Sequence, residues 1–126
     1  MYKRQVLDIA TGTGRTLRQL RGALPKAQLV GLDLSASYLR QASRWLSEIP
    51  GELPQLVQGN GEELPFANEI MQAVTCVFLF HELPGEARQK VLDEAWRVLE
   101  PGGVLCLLYT SPSPRDYAAS RMPSSA

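Results

Sequence analysis

No run of 18 apolar residues occurs in this 126-residue chain, which excludes a membrane-spanning helix. No continuous apolar stretch of signal-peptide type follows Lys3 and Arg4, because Asp8 and a glycine-rich turn interrupt it, and a cytoplasmic protein is expected. Neither sign of charge is in excess: 13 Lys and Arg balance 13 Asp and Glu, so there is no general attraction to nucleic acid or an anionic membrane. Histidine occurs once, at position 81, and cysteine twice, at 76 and 106. These are too few for a zinc site, so no metal is expected. The cysteines sit in apolar runs 30 residues apart and read as buried thiols. There is no G-x-S-x-G nucleophile elbow and no metal-binding box. What remains is 44% apolar and 21% charged, the balance of one globular domain close to the lower size limit for a layered α/β fold.

Turn residues divide the chain into alternating patterns. QVLDIA (5–10) predicts a short buried strand, TGTG (11–14) a turn, and RTLRQLRGAL (15–24) a helix with Leu17, Leu20 and Leu24 on one face. AQLVGLDL (27–34) predicts a second strand. A helix over 35–49 follows, capped by Ser35 and stopped by Pro50 and Gly51. LPQLVQGN (53–60) is a weaker third strand, 61–70 is mostly loop, and MQAVTCVFLF (71–80) is too apolar for a half-exposed edge. A helix over 85–101 ends at Pro101, Gly102 and Gly103, and VLCLLY (104–109) is a fifth strand. Strands separated by helices imply right-handed crossovers and a mostly parallel sheet, a Rossmann-like three-layer α/β sandwich. Ligands of such sheets bind at the carboxyl ends of the strands.

The residues able to do chemistry fall at those ends. Gly12 and Gly14 permit a tight turn, close approach of a ligand and a helix start with free N–H groups. The dinucleotide pattern G-x-G-x-x-G fails at Leu17. Asp8 on a buried strand demands partners, either loop amides or a cationic amino group. Asp33, 19 residues beyond Gly14, can accept both hydroxyls of a ribose, while Ser35 is the better-placed helix cap and leaves Asp33 free. Asn60 can read an adenine edge or pin its loop; Glu62 and Glu63 read as solvated, and Phe66 either closes over a base or lids the following turn. In FLFHELP (78–84), His81 can act as a base near neutral pH with Glu82 orienting it, or can simply form a wall. Adjacent residues on an extended chain point in opposite directions, so the two need not share a pocket.

Taken together, VLDIATGTGRTLRQL, VGLDLSASYLRQA, GNGEELPF, AVTCVFLFHELP and VLDEAWRVLEPGGVL stand in the order that resembles class I S-adenosylmethionine-dependent methyltransferases. The small-molecule branch of ubiquinone and menaquinone biosynthesis is the nearest in look. The resemblance covers residues 6–109 and implies S-adenosylmethionine as cofactor. Asp8, Ala10, Gly12 and Gly14 would belong to the loop that holds its methionine part, Asp33 to the ribose site, Asn60 with Gly61 to the adenine site, and Leu34 to the cofactor site at large. Phe80 and His81 would belong to the segment lining the methyl-transfer site.

The implied reaction is in-line transfer of a methyl group to a small-molecule acceptor, achieved largely by alignment and desolvation. An NAD-dependent oxidoreductase and a non-catalytic Rossmann-like module are the competing classes. Ala10 departs from the family's usual glycine, at little cost if its dihedral angles are ordinary. The family usually adds two further strands and an N-terminal helical segment, so a sheet truncated after its fifth strand is expected, with VLCLLY as an aggregation-prone edge. Residues 1–5 and 110–126 resemble non-native sequence. The second of these, with three prolines and five serines, is expected to be a disordered tail.

Overall fold

The computed structural model describes residues 4–77 and 84–107. Eight elements follow one another: β1 (Gln5–Ile9), α1 (Arg15–Ala23), β2 (Gln28–Asp33), α2 (Ala36–Leu46), β3 (Gln55–Gln58), β4 (Met71–Cys76), α3 (Gly85–Val98) and β5 (Leu99–Leu107). The strands form one sheet in the order β3-β2-β1-β4-β5, and every neighbouring pair is parallel. The Rossmann-like architecture expected from the alternating pattern is therefore present. The order reverses between β1 and β4, and the glycine turn leaves the sheet beside that reversal. β1 begins at Gln5, inside the span expected to be a leader. The tail expected at 110–126 lies outside the described residues, as does the FLFHEL part of the fourth strand end.

Side-chain alternation along the strands divides the core in two. Leu7, Ile9, Val30, Leu32, Val74 and Cys76 pack with Val91, Ala95 and Val98 of α3. Val6 and Leu29 face the other way, onto Leu17 of α1 and Ala42 and Leu46 of α2. The α1–α2 face thereby receives Asp8, two residues beyond Val6 on β1. β3 is a sheet edge with Gln55 and Gln58 exposed, which accounts for its weak apolar signal. At the opposite end, β5 pairs with β4 alone among the described residues, and Val104 on it is 61% exposed.

Three local details depart from the sequence pattern. β5 starts at Leu99 rather than 104: Pro101, Gly102 and Gly103 are a register shift inside the strand, between the pairs Met71–Leu99 and Ala73–Val104. The helix predicted over 85–101 is correspondingly shorter: α3 ends at Val98, three residues before Pro101, and runs directly into the strand at Leu99. α2 stops at Leu46, with Ser47 as its C-cap, short of the predicted 49. Arg21, on the apolar side of α1, is buried rather than solvated. Its Nη1 donates to the carbonyls of Leu24, Pro25 and Ala27 at 3.2, 3.0 and 2.9 Å, satisfying the end of α1 and the turn beyond it.

The glycines make opposite demands. A Cβ on Gly103 would sit 2.8 Å from the Leu99 side chain and 3.0 and 3.1 Å from the carbonyl oxygens of Glu100 and Gln72, whereas one on Gly22 would meet nothing within 4 Å. Gly103→Ala is expected to lower stability by about 1–3 kcal/mol, since backbone oxygens cannot move aside. Gly22→Ala, in an exposed helical position, is expected to raise it by up to about 1 kcal/mol. Urea denaturation of the two variants beside the parent measures both shifts; the same sign for both would contradict this assignment of the register shift.

Candidate functional site: the cavity over the carboxyl ends of β1, β2 and β3

A cavity of about 410 Å³ lies where β1, β2 and β3 end. Ile9, Ala10, Thr11, Gly12 and Thr13 form one wall, Leu32, Asp33 and Leu34 another, and Gly59 to Glu62 a third; Arg15, Tyr38 and Val91 complete the lining. Its size suits a nucleoside-sized ligand. Six of the residues singled out in the sequence meet here: Ala10, Gly12, Asp33, Leu34, Asn60 and Gly61. Asp8 and Gly14 are not among the lining residues. Phe80 and His81 lie outside the described residues.

Asp33 holds the walls together. Its Oδ2 accepts the Gly12 N–H at 2.8 Å and its Oδ1 accepts the Ser35 N–H at 2.9 Å. Its main-chain oxygen accepts the Gly59 N–H at 3.0 Å. One residue therefore fastens the glycine turn, the start of α2 and the loop after β3. Ser35 is the cap expected of it, its Oγ accepting the Tyr38 N–H at 3.1 Å. Asp33 is nevertheless not left free, because the turn brings Gly12 to it. Each carboxylate oxygen has two lone pairs, so one on each stays available for a ligand hydroxyl.

The glycine turn has an unusual backbone. Ala10 and Gly12 both have φ of 59° and Gly14 has 94°. Gly12 and Gly14 suit this region, but Ala10 carries a Cβ there, so its substitution for the family's usual glycine is not free of cost. A Cβ on Gly12 would meet nothing within 4 Å, so the turn leaves open space on the cavity side. A Cβ on Gly14 would come within 3.2 Å of Ala42 and 3.3 Å of Leu46, so that glycine serves the close approach of α1 to α2.

Asp8 lies beneath the turn, 2% exposed, and accepts a 2.6 Å hydrogen bond from Thr75 Oγ1 on β4. Its partners across the sheet are Gly31 and Thr75, and the space over Gly31 is taken by the side chains of Leu17 and Thr11. Burial raises its pKa from 3.8 to about 6; the hydroxyls of Thr75 and Thr11 oppose the rise, and the charge of Asp33 adds to it. The Thr11 hydroxyl stands near enough to favour the carboxylate, yet it is buried without a well-formed hydrogen bond.

The third wall is held from behind. Asn60 Oδ1 accepts the Glu62 N–H at 2.9 Å, so this side chain pins its loop. Glu62, expected in solvent, is half-buried and lines the cavity. Phe66 packs against the α3-side core and is not in the lining; it lids the turn. Arg97 of α3 ties the loop down, donating to the carbonyls of Leu64 and Phe66 and to Asn68 Oδ1, while Glu94 accepts the Leu64 N–H at 2.7 Å. Arg97 pairs with Glu94 at 2.7 Å, and this bond holds the Glu94 carboxyl below its ordinary pKa. Arg15, Tyr38, Thr13 and the Arg97–Glu94 pair were missed in the sequence. Arg15 and Thr13 adjoin the glycine motif, which is a usable signal; Arg97 lies 31 residues from Phe66 and offers none.

An all-parallel sheet with a ligand-sized cavity at its strand ends, walled by a glycine turn and an acid, is the binding core of a Rossmann-like domain. Residues 6–103 match a family described as "Methyltransferase domain", and the chain belongs to that family. It is 39% identical over 104 residues to a ubiquinone/menaquinone biosynthesis C-methyltransferase of Syntrophotalea carbinolica, an alignment that covers 82% of this chain and 43% of that protein. It is 35% identical over 112 residues to a demethylmenaquinone methyltransferase of Thermus thermophilus, covering 89% of this chain and 50% of that one. The solved structure of a putative methyltransferase from Bacillus halodurans superposes with a TM-score of 0.78 at 31% identity, covering 91% of this chain and 48% of the other. The chain thus spans about half the length of the relatives it matches. Among the described residues, no helix is long and apolar enough to cross a membrane.

Two substitutions test the physics of the turn. Ala10→Gly is expected to stabilise the fold by about 1 kcal/mol, roughly 4–8 °C in Tm, by removing a Cβ from the left-handed region; an unchanged or lowered Tm would contradict that. For Asp8 the raised pKa fixes the sign. Between about pH 4 and pH 6 the folded chain keeps a proton that the unfolded chain has released. This group therefore makes stability fall as pH rises through that window, by up to about 3 kcal/mol, with no further change above it. Asp8→Asn, which can still accept from Thr75, is expected to remove that slope in denaturation curves taken from pH 4 to 7. An identical slope in parent and variant would place the pH dependence elsewhere.

Proposed function

We propose that this domain binds S-adenosylmethionine in the cavity at the ends of β1, β2 and β3 and serves methyl transfer to a small-molecule acceptor. The observation that carries the reading is Asp33: two backbone amides fix its oxygens at the rim, and each keeps a lone pair for one of two vicinal ribose hydroxyls. The open space above Gly12 and the cavity volume both fit a ligand of this kind.

When bound, the cofactor supplies a methyl group already activated on a sulfonium. The chain's own task is then to bind, orient and exclude water. In this reading Asp33 holds the ribose, Leu34 and the Asn60–Gly61 loop flank the adenine, and the backbone from Ala10 to Gly12 faces the methionine part. Asp8 and Gly14 support the turn from behind. Phe80 and His81 are assigned to the acceptor side by resemblance, with His81 needed as a base only where the acceptor must lose a proton. The names of the relatives favour a quinone precursor as acceptor.

Calorimetric titration of the full chain with S-adenosylmethionine and S-adenosylhomocysteine, with NAD as control, tests the reading. Saturable binding of the first two is expected, weakened at least about tenfold by Asp33→Ala, the loss of about 1.4 kcal/mol or more. A melting curve of that variant reports how far the turn loosens when its anchor is removed. Binding of NAD alone would replace this function with nucleotide-dependent redox chemistry.

A further inference from the structure

The balanced net charge hides an uneven distribution. Residues 1–50 hold eight Lys and Arg against three Asp and Glu, and residues 51–126 hold five against ten. The fold gathers much of the basic excess on one layer. α1 and α2 pack on the same face of the sheet and carry five arginines and no acid between them. α3, on the other face, carries three cations and three acids, the mixture of an ordinary solvated helix. Arg21 is buried and spent on main-chain carbonyls. The other four, Arg15, Arg18, Arg40 and Arg44, reach the surface. Helix energetics do not account for them. Arg15–Arg18 and Arg40–Arg44 are like-charge pairs at i,i+3 and i,i+4, and Arg15 stands at the positive end of α1. Arg44 alone suits the helix end it occupies. Glu48, just beyond α2, faces Arg18 at 3.8 Å and offsets one of the four charges.

This basic layer is continuous with the rim of the cavity. One groove joins Arg15 and Arg18 to Trp45, and a second joins Trp45 and Arg44 to Thr13. Arg15 and Thr13 also line the cavity. At the same rim two large side chains stand in solvent: Leu34, 66% exposed, and Tyr38, 52% exposed.

We infer that the α1–α2 layer is a docking surface for an anionic phospholipid bilayer. Guanidinium forks match phosphate oxygens in paired hydrogen bonds, and each cation near such a surface adds to the attraction. Tyr38 supplies an amphipathic ring suited to the headgroup level, and Leu34 an apolar side chain for the acyl boundary below it. A nucleic acid fits less well. The Trp45 ring is half-buried and Arg18 lies 4.5 Å over it, so the ring is not free to stack on a base. Docking by this layer would place the mouth of the cavity beside the bilayer. The inference concerns a surface outside the cofactor reading and stands or falls without it.

The test is flotation of the full chain with vesicles of phosphatidylglycerol and phosphatidylcholine in equal parts, beside vesicles of phosphatidylcholine alone. Bound protein rises with the vesicles, whereas aggregated protein sinks. Binding to the anionic vesicles is expected to exceed that to the neutral ones by about tenfold or more and to fade with added salt. The double variant Arg40→Gln/Arg44→Gln, at two exposed positions outside the cavity lining, should lower it by about tenfold. Arg88→Gln/Lys90→Gln removes the same charge from α3 and should leave it unchanged. Equal flotation with both vesicle types, no flotation with either, or equal losses in the two double variants would overturn the inference. A mixed-sequence RNA oligonucleotide serves as the competing probe: capture of the RNA without binding of vesicles would reassign the layer to nucleic acid.

Discussion

The site depends on a single carboxylate at the end of β2. Three chain segments that approach from different directions must be held together: the turn after β1, the start of α2 and the loop after β3. Asp33 accepts an amide from each, two on its side chain and one on its main-chain oxygen. Amide donors to a carboxylate are charge-assisted and stronger than neutral pairs. The arrangement fixes the acid's position before any ligand arrives, which reduces the ordering cost of binding. The residue proposed to hold the ligand is thus also the one that shapes the cavity.

This concentration of contacts follows from the parallel sheet. Every strand runs the same way, so every carboxyl end, and the loop that leaves it, is at one edge of the domain. Those loops are far apart in sequence and need cross-links. Asp33 supplies one from the front. Arg97 and Glu94 supply another from behind, gripping 64–68 from α3. The geometry of the third wall is consequently set by a helix that barely touches the cavity, through Val91 alone.

The same region carries the least comfortable chemistry in the fold. Ala10 occupies a left-handed conformation, Asp8 is a carboxyl group buried deeply enough to hold its proton to about pH 6, and Thr11 has a buried hydroxyl without a proper partner. Such features cost stability that the flanking apolar layers must offset. Elsewhere, alternating residues of the strands feed two cores; the exceptions are the Pro101–Gly103 shift, which adjusts a register, Glu69 at a φ of 57°, and Arg21, whose Nη1 satisfies backbone carbonyls while its Nε and Nη2 are buried without partners.

Ala10, Leu34 and Gly61 were placed by the family resemblance; the order of elements, the apolar interior of β1, β2 and β4, the weak edge β3, the Ser35 cap and the strand-end positions of Gly12, Asp33 and Asn60 were legible in the residues themselves. They arise from local rules of periodicity, turn chemistry and strand-end position, which act over a few residues. The beginning of β5 was not, because Pro101, Gly102 and Gly103 give one signal both for a helix end and for a bulge, and only pairing with Met71 and Ala73 tells them apart. Nor were the burial of Asp8 against Thr75, 67 residues away, the double engagement of Asp33, the place of Arg15 and Tyr38 at the cavity, or the grip of Arg97 on the third wall. Those depend on which strands become neighbours. A sequence states what each residue can offer as donor, acceptor, charge or apolar surface; the crossover connections of the sheet decide which offers meet.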